Sequence, residues 1–139
     1  MLALITPIKE RLQALPQLAG WEVQTGTEAA DRRLRRVINV RCTGADAQDS
    51  ETRGVTLSPA YTIRIVVPRS SDVVEQLDDA LAAVIGVLHN WTPGRIGLIQ
   101  WRRMALYMAR EAEFLETGEA GYALIFTCSA VYNGAEYHK

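Results

Sequence analysis

The chain has 139 residues, 48% of them apolar and 22% charged, and fifteen Lys and Arg against sixteen Asp and Glu leave a net charge of −1. That length fits one domain, and about two-thirds of the unfolded surface is buried at this size, so neither a metal nor a disulfide is needed to hold the fold. The charge balance argues against a protein that grips nucleic acid by counterion release, and no apolar run approaches the ~20 residues of a membrane span.

In MLALITPIKERLQALP, Ile5, Ile8, Leu12 and Leu15 recur at steps of three and four, which predicts an amphipathic helix with Lys9, Glu10, Arg11 and Gln13 in water. Thr6 before Pro7 reads as an N-cap followed by proline at the first helical position, and Pro16 stops the helix. Residues 21–24 suit a short strand. RVINVRCT, residues 36–43, alternates as a second strand, with Ile38, Val40 and Cys42 on one face and Val37, Asn39 and Arg41 on the other. GADAQDSETRG, residues 44–54, has no apolar periodicity and reads as a mobile loop. A longer strand follows through Val55, Leu57, Tyr61, Ile63, Ile65 and Val67, all on one face, with Pro59 marking an edge or a bulge.

Asp72 with Glu75 three residues on has the shape of a capping box. Behind it, Val74, Leu77, Leu81, Val84, Ile85 and Leu88 form the stripe of a long helix, which Thr92-Pro93-Gly94 ends. A strand from Leu98 to about Met108, a charged connection over residues 110–121 and a last strand follow. That strand has Tyr122, Leu124, Phe126, Cys128 and Tyr132 on one face. The expected fold is α+β: a mostly antiparallel sheet of four to five strands, with two main helices packed on one face, in a single domain spanning residues 1–139.

The sequence offers little material for catalysis. His138 is next to last, and His89 ends the long helix, where an imidazole suits the negative end of the helix dipole. No nucleophile elbow, zinc-binding helix or phosphate loop is present. Asp78 and Asp79 are neighbours, so on a helix they point about 100° apart. Cys42 and Cys128 lack any ligand-spaced partner and read as reduced thiols. Gly94-Arg95-Ile96-Gly97 matches the GXXG loop of KH domains, but that loop must join two helices, and the residues after it read as a strand. No enzyme activity, cofactor or metal is expected. The one charge cluster is ADRRLRR: Arg32, Arg33, Arg35 and Arg36 either contact phosphate or acidic protein, or form a solvated lead-in whose stems cover apolar surface.

The strand YTIRIVVPRS runs directly into DVVEQLDDALAAVIGVLHNWTPG, and GYALIFTCSAVY closes the order. This order, with an amphipathic helix in front, resembles the tail terminator (minor tail, tail-completion) proteins of long-tailed bacteriophages and prophages. The resemblance covers nearly the whole chain through patterns of apolar residues. It implies a structural subunit that closes into a six-fold ring on the finished tail tube, ends tube polymerisation and presents a surface to the head connector. Its implied partners are copies of itself, the tube protein and the connector. DNA would pass through without specific binding, and no membrane is involved. The implied location is the tail–head junction of the virion, after assembly in the bacterial cytoplasm.

At such contacts the arginine cluster is expected to meet an acidic segment carrying Asp46, Asp49 and Glu51. A head-completion or head–tail joining subunit is the first rival reading. A small nucleic-acid-binding domain built on the arginines and the GRIG turn is the second.

Overall fold

Six strands and two helices organise the described part of the chain, which in the computed structural model comprises residues 1–26, 35–48 and 54–133. Helix α1 spans Ile5–Gln13 and α2 spans Val73–Leu88. The strands are β1 Glu22–Thr25, β2 Val37–Gln48, β3 Gly54–Pro68, β4 Gly94–Ile96, β5 Ile99–Glu111 and β6 Glu119–Asn133. They form one sheet in the order β1-β2-β3-β6-β5-β4. All neighbours are antiparallel except β1 and β2, which run parallel with Glu22 opposite Val37. The α+β class holds, while the sheet is larger than expected and mixed.

Alternation decides which side of the sheet becomes the core. Ile38 and Val40 on β2, Tyr61, Ile63, Ile65 and Val67 on β3, and Leu124, Phe126, Cys128 and Ala130 on β6 are all buried on the helix side. Trp101 and Met104 complete that side from β5, and the Trp101 and Tyr61 rings meet at 6.5 Å with a 60° tilt. The Tyr61 hydroxyl donates to the Met1 carbonyl at 2.6 Å. Leu4, Ile8 and Leu12 of the first helical segment, and Leu77, Ala80, Val84 and Leu88 of α2, close the core from above. Arg11 fastens the two helices: it donates to the Val87 carbonyl at 3.0 Å and lies 4.5 Å over the Trp91 ring.

Several local expectations are corrected. A 3₁₀ turn over Leu2–Leu4 leads into α1, so Leu4 rather than Thr6 is the N-cap. Pro7 then falls third in the helix, where its missing N–H still costs no helical bond. Asp72 does precede α2, but its side chain caps nothing; instead its carboxylate accepts from the Ser70 hydroxyl at 2.6 Å. Val74 is 74% exposed, and Ala80 takes its place in the buried stripe. Strand β2 continues through residues 44–48, since Gly44 to Gln48 pair with Ala60 to Thr56 after a bulge at Thr43; the expected loop begins too early. Pro59 lies in β3, one of the two central strands of the sheet, not at an edge. The β3–β6 ladder skips Ser58 and Pro59, where proline has no N–H to give, and the Ser58 and Ser129 hydroxyls bridge the gap at 3.0 Å.

The LHNWTPGRIG stretch is a tie between α2 and the sheet. The helix ends at Leu88, before the expected Thr92-Pro93-Gly94, and Asn90 at φ +71 makes the reversal. The Asn90 N–H donates to the Met104 carbonyl at 2.8 Å, the Met104 N–H donates to the Trp91 carbonyl at 2.7 Å, and the Leu106 N–H donates to His89 Nδ1 at 3.0 Å. His89 therefore satisfies an edge amide of β5. Gly94-Arg95-Ile96 forms β4, and Gly97-Leu98 is a two-residue hairpin loop to β5. Gly97 at φ +62 stands first in that loop, as a type II′ turn requires.

Candidate functional site

Residues that alternate away from the core converge on the helix-free side of the sheet. One cross-strand row runs Gln24–Asn39–Arg64–Ala123–Arg110 over β1, β2, β3, β6 and β5. The next row is Arg41–Thr62–Ile125–Met108. The first row, with Arg41 and Thr62 of the second and with Arg35, lines a recess of about 510 Å³, and Glu113 and Phe114 of the β5–β6 connection line it too. Its floor is small and apolar, with Val37, Val66, Ala112 and Ala123. Four guanidinium groups, on Arg35, Arg41, Arg64 and Arg110, face it along with the carboxylates of Glu113 and Glu119, so the recess is net basic in a chain that is net acidic.

The arginines differ in what holds them. Arg35 pairs with Glu22 at 3.2 Å, both half exposed. Hydrogen bonds from Gln24 and then Arg35 hold the Glu22 carboxyl below its ordinary value. Asn39 donates to the Gly26 carbonyl at 3.0 Å, which ties the end of β1 to β2 at the rim. Arg64 reaches across the recess and donates to the carbonyls of Glu113 and Phe114 at 3.1 and 3.3 Å. Arg41 and Arg110 have no ion-pair partner among the described residues.

The loop held by Arg64 joins β5 to β6 and carries the most exposed large apolar side chain among the described residues. Phe114 is 90% exposed and sits at φ +57, a left-handed conformation that costs a bulky residue ~1–2 kcal/mol. The loop is pinned at every turn. The Ala112 N–H donates to the Gly121 carbonyl at 3.0 Å, the Glu116 N–H donates to the Glu119 carboxylate at 2.8 Å, and the Arg69 N–H donates to the Gly118 carbonyl at 2.8 Å.

Of the residues singled out by sequence, Arg32, Arg33, Asp49, Glu51 and His138 lie outside the described residues. Arg35 is at the rim of the recess. Arg36 is not: its guanidinium lies 5.4 Å over the Trp21 ring, a cation–π contact at the lead-in to β2. Asp46 is exposed on the outer part of β2, opposite Ser58, away from the recess. Of the three candidates among the described residues the structure brings Arg35 to the recess, and sequence reasoning missed Arg41, Arg64 and Arg110. The alternation already placed Arg41 on the face away from Ile38, but which strands lie side by side fixes the convergence, and that is a tertiary fact.

No helix among the described residues is long and apolar enough to cross a membrane. No family profile matches the chain, and no curated protein does. Among solved structures, the fold is similar to a chain of the "Virion of native gene transfer agent (GTA) particle", with a TM-score of 0.64 at 15% identity. The likeness covers 90% of this chain and 92% of that one.

Proposed function

We propose that this protein is a structural virion component that caps the phage tail tube as a ring of copies, ends tube polymerisation and offers the surface to which the head attaches. The observation that carries the reading is the fold likeness to a virion chain over nine-tenths of both lengths, in the element order that the tail-terminator resemblance implies. The architecture supports it. β1 pairs only with Val37 to Val40, so among the described residues the outer half of β2 has no strand on its far side and one face of the sheet has no helix on it. Unpaired backbone and an uncovered face are what a subunit built to meet other subunits presents.

On this reading the protein acts by contact rather than turnover. His89 is engaged with the Leu106 amide, and burial pushes the Cys128 thiol up to about 12, far from the thiolate a nucleophile needs. The test is removal of the gene from the phage or prophage that encodes it. Tails of uncontrolled length, restored to a fixed length by the gene supplied in trans, are the expected result. Normal-length tails with full head attachment would overturn the proposal.

A further inference from the structure

The basic groups of the recess are laid out as a track. Arg64 and Arg110 share one cross-strand row with Ala123 between them, and Arg41 stands in the next row opposite Thr62. From β2 to β5 the sheet crosses three inter-strand spacings, about 14 Å. Arg41 and Arg110, at the two ends of that span, are exposed and have no ion-pair partner among the described residues. Guanidinium forks spread over that distance suit a chain of anionic groups.

Phe114 decides which polyanion fits. Single exposed apolar residues are ordinary on protein surfaces, but this ring belongs to the lining of the same recess and is 90% exposed. Arg64 fixes the loop beneath it through the carbonyls of Glu113 and Phe114, so the ring stands on a rigid support. An aromatic ring beside a basic track is a stacking platform for a base. The carboxylates of Glu113 and Glu119 separate the candidates further. To an acidic peptide they are purely repulsive, whereas a base on Phe114 has an edge N–H for Glu113 to accept. A duplex keeps its bases in the stack, and a single strand presents them.

We infer that the recess binds single-stranded nucleic acid without regard to sequence, with phosphates on Arg41 and Arg110 and a base on Phe114. Arg35, paired with Glu22, and Arg64, bonded to the loop, hold the frame. Two phosphate contacts give a modest affinity, in keeping with the chain's net charge of −1. This binding is independent of capping, and the failure of either leaves the other standing.

Fluorescence anisotropy of a labelled oligothymidylate of about twelve nucleotides, titrated with the purified chain, tests it. A Kd of about 1–100 µM is expected near physiological salt. The slope of log affinity against log salt should be about −1.4, two contacts at about −0.7 each. Arg41→Ala or Arg110→Ala should remove about half of that slope and about fivefold in affinity. Phe114→Asn, whose left-handed backbone asparagine tolerates, should weaken binding about tenfold at unchanged slope, and Phe114→Tyr should restore it. Lys9→Ala, on α1 in the helix layer, should change nothing. No binding, or Arg41, Arg110 and Phe114 variants that bind as the wild type does, overturns the inference. Polyglutamate of equal charge binding at least as tightly makes the recess a dock for acidic protein, and thymidine monophosphate or a duplex binding as tightly makes it a site for a free nucleotide or a double helix. Each of these also overturns the single-strand assignment.

Discussion

Gly121 and Gly86 should respond to the same substitution with opposite signs. Gly121 lies in β6 opposite Val66, and a Cβ there would stand 2.6 Å from the Ile65 carbonyl oxygen and 3.1 Å from Val66 Cγ2. Ordinary van der Waals contact begins at 3.4 Å, and the nearest obstacle is backbone of the central β3–β6 pair, which cannot rotate away. Overpacking of this kind costs ~1–3 kcal/mol, against ~0.5–1 kcal/mol that alanine otherwise gains over glycine in a strand. The balance for Gly121→Ala is a loss of about 1–2 kcal/mol, or about 3–6 °C in Tm for a domain of this size. Gly86 is in α2 at an exposed position, with no atom within 4 Å of an added Cβ, so Gly86→Ala should stabilise by up to ~1 kcal/mol. Urea unfolding followed by tryptophan fluorescence reads both, because Trp101 is buried against Tyr61. A lower midpoint at unchanged slope for Gly121→Ala and a higher one for Gly86→Ala are expected. A Gly121→Ala protein at least as stable as wild type would refute the β3–β6 register described above.

Removing the Tyr61 hydroxyl with Tyr61→Phe deletes the 2.6 Å bond to the Met1 carbonyl and should cost ~1 kcal/mol, read as a lower urea midpoint. Burial raises the Cys128 thiol from 9.0 to about 12 and pushes the Tyr61 phenol above its usual range. Both groups are held neutral by the fold, so their contribution is full below pH 9 and is lost as pH rises toward 12. A midpoint unchanged across that window would contradict it. Iodoacetamide should reach half-buried Cys42 first and Cys128 only on unfolding, which mass spectrometry of time points decides. Hydrogen bonds from Ser70 and then Gln76 lower the Asp72 carboxyl, so Ser70→Ala should raise its titration midpoint by NMR.

The helices and the core were legible because their signals are local. Steps of three and four in α1, and odd positions 61 to 67 in β3, specify a face without reference to any partner. What failed was decided by partners. GADAQ has the composition of a loop, yet β3 supplies a ladder opposite it and the strand continues, pairing overriding propensity. β4 is three residues long and exists only as the partner of Ile99 to Trp101. The parallel β1–β2 pair depends on a connection whose course no pattern of apolar residues reveals. The candidate site shows the same division. ADRRLRR drew attention as a run, but of its two described arginines Arg35 reaches the recess while Arg36 lies over the Trp21 ring. Arg41, Arg64 and Arg110 are isolated in sequence and come together because β2, β3 and β5 lie within one sheet. Phe114 sat in a stretch whose charges mark it as a connection, and nothing local distinguishes a ring held in solvent from one folded into the core.

Tail-tube subunits polymerising in vitro, with this protein added at a few copies per growing end, put capping to its most direct test. Electron micrographs should show tubes arrested at the length reached on addition, each closed at one end by a ring. Tubes that keep growing at the same rate, with the protein found nowhere on their ends, would contradict the account.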